Sequence, residues 1–282
     1  MPELPEVETI VRGLALELQD VVVQHVIIRQ HQLRWPIPDN LSATLNQQKV
    51  CRIHRRGKYL LMRFERGTLI IHLGMSGHLR IVSKTADLKP HDHVDIIFSE
   101  QQILRYNDPR RFGTILWTQD EPEKHRLLFS LGVEPLSTAF TDQYLLQKAK
   151  KRHVAIKPFI MNNQVVVGVG NIYATEALFK ANIHPATPVN HLTIEHVQRL
   201  IATIKDTLQL AISKGGTTLK DFFNAEGKPG YFKQQLMVYG REGLPCFQCT
   251  KPLQKIWLGQ RNSVYCKHCQ PPMFAPVTRH II

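Results

Sequence analysis

The chain has 282 residues, enough for two domains with separate cores or one large one. Its 36 lysines and arginines exceed its 23 aspartates and glutamates by 13, and in a chain that is 43% hydrophobic such a surplus points to a folded protein that meets a polyanion. No apolar run approaches the ~20 residues of a membrane-spanning helix. The first apolar stretch carries Glu3, Glu6 and Glu8 and lacks a basic lead, unlike a secretory signal, so a soluble cytoplasmic protein is expected.

In chain order, the first expected element is a helix. Pro5 suits its first position, and Val7, Ile10, Val11, Leu14 and Leu18 follow at helical spacing. Residues 21–118 then break into short β-rich runs: Val21 to Val23, Tyr59 to Phe64, Leu69 to Leu73, Val94 to Phe98 and Thr114 to Trp117. Turn formers such as Arg66-Gly67 and Asn107-Asp108-Pro109 separate several of them, which argues for an antiparallel sandwich or barrel. From about 122 to 214 the pattern turns helical. Its clearest helix spans 193–212, with Ile194, Val197, Leu200, Ile201, Ile204, Leu208 and Ala211 on one face. The tail from 236 onward is short strands and turns around cysteines.

Four of the five cysteines lie in that tail, as Cys246-x2-Cys249 and Cys266-x2-Cys269. Each pair suits a tight knuckle, and the sixteen residues between the pairs suit a hairpin. A chain without a secretory signal is expected in a reducing compartment, so the pairs read as one structural Zn²⁺ and not as disulfides. Four thiolates close the coordination shell and leave no position for a substrate. Cys51, in an expected strand, reads as a buried core thiol. Arg261, in the hairpin turn between Gln260 and Asn262, is placed where a guanidinium could reach a phosphate.

The N-terminus carries chemistry of its own. Pro2 has a small side chain, so removal of Met1 is expected to leave a free secondary amine, a nucleophile able to form an iminium with a sugar aldehyde carbon. Glu3 beside it is a ready proton donor or acceptor. The positive end of the helix that follows favours the neutral, nucleophilic amine.

Taken together, these features resemble the formamidopyrimidine-DNA glycosylases, the oxidised-purine branch of the base-excision-repair family shared with the endonuclease VIII type. The likeness runs through Pro2-Glu3-Leu4-Pro5-Glu6-Val7-Glu8-Thr9, Arg55-Arg56-Gly57-Lys58-Tyr59-Leu60 and Ile71-His72-Leu73-Gly74-Met75-Ser76-Gly77. It continues through His91-Asp92-His93-Val94-Asp95, Tyr106-Asn107-Asp108-Pro109-Arg110-Arg111-Phe112-Gly113, Val167-Gly168-Val169-Gly170-Asn171-Ile172-Tyr173-Ala174 and Gly215-Gly216-Thr217-Thr218-Leu219-Lys220-Asp221-Phe222, then the cysteines. The alternatives are an oxidised-pyrimidine enzyme of endonuclease VIII type and a non-catalytic DNA-binding protein on the same scaffold. The pyrimidine branch typically has Gly at the position of Leu4.

The resemblance implies an α+β fold. A β-sandwich flanked by helices would occupy 2–120, a linker 121–135, a helix–two-turn–helix domain 136–235 and a zinc ribbon 236–270, followed by a tail at 271–282. It implies a bifunctional glycosylase and AP lyase in which the Pro2 amine attacks C1′ of the damaged nucleotide, the base leaves, and β,δ-elimination cuts the strand. Glu3, Lys58 and Arg261 are its expected catalytic partners, with Lys58 at the Schiff base and Arg261 at the phosphate. His91, Arg110, Arg152, Lys157 and Asn171 are expected DNA contacts. Arg152 stands where many relatives have Lys, which keeps the charge and changes the hydrogen-bond geometry. Met75, Arg110 and Phe112 are expected to fill the void left by an everted base. Thr217, Thr218 and Lys220 are expected in a loop over the lesion. Cys246, Cys249, Cys266 and Cys269 would hold one zinc, with no organic cofactor. The expected partner is double-stranded DNA carrying oxidised purines or abasic sites, met by a monomer without membrane attachment.

Overall fold

The computed structural model describes residues 2–217 and 232–272. The chain forms two compact units, one of residues 1–130 with 211–233 and one of residues 131–210 with 234–282. The first unit opens on α1 (Leu4–Leu18), whose Leu4, Val7, Ile10, Val11, Leu14 and Leu18 are all buried, as their spacing predicts. Leu4 is the first helical residue and Pro5 the second, one place later than expected, so the Pro5 ring still displaces no helical N–H donor.

After β1 (His25–Ile28) and the short α2 (Leu41–Leu45) come seven strands: β2 (Val50–Arg56), β3 (Tyr59–Phe64), β4 (Gly67–His72), β5 (His78–Val82), β6 (Asp92–Ser99), β7 (Gln102–Asn107) and β8 (Thr114–Thr118). They form two four-stranded antiparallel sheets, ordered β1-β6-β7-β5 and β2-β3-β4-β8. One apolar core joins α1 to both sheets, running from Val7 and Leu14 through Leu60, Met62, Leu69 and Ile71 to Val94, Ile96 and Leu104. This is the sandwich the turn spacing predicts.

Two local expectations fail. Val21 to Val23 is not a strand: Val22 makes a single antiparallel bridge to Lys49, and the paired strand starts at His25. The run is paired, Val21 accepting from the Val50 N–H and Val23 exchanging bonds with Gln47 and Gln48, but the pairing ends at one bridge and does not extend into a strand. Cys51 is only half-buried, its thiol directed at the Lys49 carbonyl, because its neighbours Val50 and Ile53 take the inward positions of β2.

The outer side of the first sheet holds a buried ion network. Arg105 on β7 forks onto Asp95 of β6, Nε to Oδ1 at 2.8 Å and NH2 to Oδ2 at 3.0 Å. Arg29 reaches the same carboxylate at 2.7 Å, and Arg80 meets Asp92 at 2.8 Å. Burial raises the Asp95 carboxyl, but the hydrogen bonds and charges of Arg105 and Arg29 outweigh it and hold the group below the usual carboxylate range.

In the second unit, α3 (Asp142–Ala149) is capped by the Thr141 hydroxyl, which accepts from the Tyr144 N–H. It is followed by α4 (Ile156–Ile160), α5 (Asn171–Lys180) and α6 (Ile194–Ser213). Val197, Leu200, Ile201, Ile204, Leu208 and Ala211 of α6 are buried as expected, whereas Ile194, in its first turn, is 40% exposed. A hairpin of β9 (Gln254–Leu258) and β10 (Arg261–Tyr265) lies between the cysteine pairs.

Replacing Asp95 by Ala leaves Arg105 buried without its forked partner, so a loss of about 3–5 kcal/mol is expected in urea unfolding. The parent's share of stability from this carboxylate is present above about pH 3.9 and disappears as pH falls through the lower folded-state value. The parent and Asp95→Ala unfolding curves should therefore converge in acid.

Candidate functional site

In the first unit, Pro2 is buried and Glu3 is the N-cap of α1, only 3% exposed. Its backbone is extended, and its N–H donates to Glu6 Oε2 at 2.8 Å, the return half of a capping box. Glu6 is the helix N-terminal carboxylate its position suggests, and it does more. Its other oxygen accepts the Thr217 N–H at 2.7 Å. The preceding residue, Gly216, sits at φ +81°, where a Cβ would crowd Glu6 Oε1 at 2.9 Å. One buried carboxylate therefore joins the Pro2-Glu3 segment to the first described residue of the expected lesion loop. Thr218 and Lys220 lie outside the described residues.

Lys58 is the second residue of a two-residue turn, since Arg56 of β2 pairs directly with Tyr59 of β3. Gly57 supplies the positive φ, +58°, that this turn needs. The Arg55-Arg56-Gly57-Lys58 cluster is not a uniform charged edge. Arg55 donates to Glu8 Oε2 at 2.9 Å and to the Gly57 carbonyl at 3.0 Å, so its guanidinium braces the turn that presents Lys58.

The β3–β4 register sets Tyr59 opposite His72, with ring centroids 4.8 Å apart. His72 Nδ1 accepts the Gly74 N–H at 3.0 Å, which puts the ring proton on Nε2. Burial first, and then the positive charges of Lys58 and Arg34, lower the His72 pKa to about 4. The sequence reading did not single out His72. Its signal was the β-strand alternation that carries it to the Lys58 end of β3.

Met75 and Phe112 are not core residues: they are 39% and 45% exposed. The Arg110 guanidinium carbon lies 4.7 Å from the Phe112 ring centroid. Gly74, at φ +61°, packs its backbone on the Phe112 peptide so closely that a Cβ would overlap it. The Met75 turn and the Arg110–Phe112 loop are thus one assembly. His91 is exposed on a turn at φ +71°, with its ring edge-on to His93 at 6.1 Å.

In the second unit, Asn171 is the first residue of α5, and the N-cap is Gly170. Asn171 therefore does not cap the helix, and its Oδ1 is buried with no hydrogen-bond partner among the described residues. Arg152 is exposed, 5.7 Å from the Phe159 ring centroid. Lys157 is only 1% exposed, and its ammonium donates to the Asn262 carbonyl at 3.1 Å and Ser263 Oγ at 2.7 Å. It is directed at the ribbon hairpin. Gly259 and Gln260, both at positive φ, form the hairpin turn, and Arg261 follows as the exposed first residue of β10.

The four cysteine Sγ atoms of the tail lie within 4.8 Å of one another. Cys246 and Cys269 are 3.9 Å apart and Cys249 and Cys266 3.4 Å apart, near the ~3.8 Å edge of a tetrahedron with Zn–S bonds of about 2.3 Å. The donor set fits a metal ion of thiolate preference. Glu176 of α5, fully buried, accepts the N–H groups of Met237, Val238 and Tyr239 at 2.8–3.0 Å and so anchors the chain leading into the cysteine cluster.

Residues 1–115 match the model of the formamidopyrimidine-DNA glycosylase N-terminal domain, and residues 131–223 match that family's H2TH domain. A formamidopyrimidine-DNA glycosylase of Hydrogenovibrio crunogenus is 50% identical over 277 residues, covering 98% of this chain and 99% of the relative. Two solved complexes of the Lactococcus lactis Fpg protein are 32% identical with a TM-score of 0.89. One contains abasic-site DNA and covers 95% of this chain and 99% of that one; the other contains N7-benzyl-Fapy-dG DNA and covers 96% and 100%. The chain therefore belongs to the formamidopyrimidine-DNA glycosylase family. Among the described residues, no helix is long and apolar enough to cross a membrane.

In an NMR pH titration the His72 ring is expected to stay neutral down to about pH 4. An unfolded-chain histidine takes up its proton near about 6.5, so His72 should erode stability as pH falls from there towards its folded value. His72→Gln should flatten that part of the stability profile.

Proposed function

We propose that this chain is a bifunctional DNA glycosylase and AP lyase that removes oxidised purines from duplex DNA. The observation that carries the reading is the head of α1, where Pro2 and a 3%-exposed Glu3 are held by the Glu6 carboxylate, in a chain that matches the family from its first residue. Relatives of this chain have been solved on abasic-site and Fapy-dG DNA, which supports the same substrate class here.

Removal of Met1 exposes the Pro2 amine, and the α1 dipole favours its neutral form. The amine attacks C1′ of the everted nucleotide. The glycosidic bond breaks with its electrons going to the base, which leaves with the proton the amine gives up, and Glu3 delivers a second proton to the ring oxygen as the sugar opens to the iminium. The resulting iminium makes the C2′ proton acidic. Its loss expels the 3′ phosphate, and a second elimination expels the 5′ phosphate. Lys58 contacts the phosphate beside the Schiff base and shuttles protons. Met75, Arg110 and Phe112 fill the space the nucleotide leaves, Arg110 facing the orphaned cytosine. Thr217, with Thr218 and Lys220, contacts the everted base.

His91, Arg152 and Asn171 contact the DNA backbone, Asn171 by donating its side-chain amide N–H to a phosphate oxygen. Lys157 contributes through the hairpin it holds. A structural zinc on Cys246, Cys249, Cys266 and Cys269 would close that module and supply no catalytic step, since four thiolates fill its shell. Arg261 takes two phosphate oxygens together, a geometry lysine does not reproduce. The enzyme acts as a monomer in the bacterial cytoplasm.

Borohydride should trap a covalent adduct on lesion-containing duplex, and peptide mapping should place it on Pro2. Pro2→Gly, or a protein that retains Met1, should trap far less; an adduct on Lys58 or Lys157 with Pro2 unmodified would refute the assignment. Glu3→Gln should lower single-turnover base release by about 10²-fold or more while DNA affinity changes little.

Arg261→Ala should keep one zinc per chain by metal analysis and lose incision. Its plot of log K against log salt should be shallower by about 1, the loss of one phosphate contact. Cys246→Ala should lose zinc and DNA affinity together. Parent-like binding and cutting by zinc-replete Arg261→Ala would return Arg261 to an ordinary surface role.

A further inference from the structure

The three side chains proposed to fill the void come from two turns far apart in sequence, and an exposed turn does not by itself keep register with another. Asp108 lies between them, completely buried. Its Oδ1 accepts the Ser76 hydroxyl at 2.6 Å, and Ser76 Oγ in turn accepts the Arg110 N–H at 3.2 Å. Its Oδ2 accepts the Gly113 N–H at 2.8 Å and the Tyr106 hydroxyl at 3.0 Å. Burial, then the charge and hydrogen bond of Asp108, hold the Tyr106 hydroxyl protonated far above the ordinary phenol range, so it remains a donor.

The Asp108 backbone ties in the His91 turn. Its N–H donates to the His91 carbonyl at 3.1 Å, and its own carbonyl accepts His93 Nε2 at 2.8 Å and the Arg111 N–H at 3.2 Å. Gly113 has no room for a side chain, because a Cβ there would overlap the Tyr106 hydroxyl. One aspartate therefore fastens the segments that bear Met75, His91, and Arg110 with Phe112.

We infer that Asp108 is the positioning residue that makes Met75, Arg110 and Phe112 act as a single wedge, by cross-linking the Ser76 turn to the 110–113 loop through its carboxylate. The inference rests on the void-filling reading given above. A carboxylate suits this place because all its partners are donors: two hydroxyls and a backbone N–H. Asparagine would offer one acceptor oxygen and an NH₂ group facing a donor. Loss of the cross-link leaves the two turns held together only by the Gly74–Phe112 packing, so inserting their side chains together would require more ordering at the moment of eversion.

The test uses Asp108→Asn and Ser76→Ala, alone and combined with Phe112→Ala, in the full-length zinc-replete enzyme. Ser76→Ala removes only the cross-link and leaves the Tyr106 and Gly113 bonds, so it serves if Asp108→Asn folds poorly. Single-turnover base release from a paired 8-oxoguanine duplex is expected to slow about tenfold for Asp108→Asn and severalfold for Ser76→Ala. Incision of a preformed abasic site, where no base has to be displaced, should stay within about twofold of the parent. A 2-aminopurine beside the lesion should report a smaller or slower insertion signal. In the Phe112→Ala background both substitutions should add little, since a positioning residue has no effect once the positioned group is gone.

If Phe112→Ala slows base release and Ser76→Ala and Asp108→Asn do not, the inference is overturned while the void-filling reading stands. Losses that multiply with Phe112→Ala, or that strike abasic incision equally, would make Asp108 a general stability residue and also overturn it. If Phe112→Ala itself leaves base release unchanged, the void-filling reading fails and the inference falls with it.

Discussion

A carboxylate taken out of water must recover its hydration from nearby donors, and in this chain many of those donors are backbone amides of the segments that bear the candidate chemistry. Glu6 takes the N–H groups of Glu3 and Thr217, so the N-terminal segment and the segment ending at Thr217 share one anchor. Asp108 takes Gly113 and, through Ser76, the turn that carries Met75. Glu176 takes three successive amides ahead of the cysteine cluster. In each case a loop that could not hold itself is fixed to a rigid strand or helix. The functional side chains can therefore point outward while their backbones stay put.

The same economy governs the positive charge. Several of the arginines are paired with carboxylates inside the fold, which leaves the surplus of 13 almost unchanged. Arg105 and Arg29 neutralise Asp95, Arg80 neutralises Asp92, and Arg55 neutralises Glu8. Burial raises the Glu8 carboxyl, but its bonds to Arg55 and Arg12 outweigh that and leave it below the usual range. The cations of the candidate site are specifically placed: Lys58 at a braced turn, Arg110 beside the Phe112 ring, Arg261 at the head of β10.

The cysteine module follows a different logic. Its apolar cluster is small, built on Phe179, Val238, Leu253 and Val264 with the cysteines themselves. A core that size needs a further constraint, and four convergent thiolates are the means of providing one. Lys157 and Gln270 tie the module to the rest of its own unit: Lys157 of α4 through Asn262 and Ser263, Gln270 through the Ile183 carbonyl just after α5. The hairpin that carries Arg261 is therefore held at both the cysteine end and the strand.

The sequence by itself determined the elements, because their signals are local. Helical spacing marked α1 and most of the buried face of α6, β-rich runs between turn formers marked β3, β4, β6 and β8, and paired Cys-x2-Cys knuckles marked the cysteine cluster. Long motifs in the family's order identified the family and the candidate residues. What remained for tertiary structure were properties that depend on which segments meet. Val21 to Val23 has strand propensity and only a single bridge; Cys51 reads as a core thiol and takes a half-exposed place in space. Lys157 is expected at the DNA backbone and is buried against a hairpin 105 residues away. His72 acquires its low pKa from burial and from Lys58 across a β-ladder. Asp108 looks like the start of a turn and becomes the junction of three segments, since hydrogen-bond partners distant in sequence are assigned only when the sheets have paired.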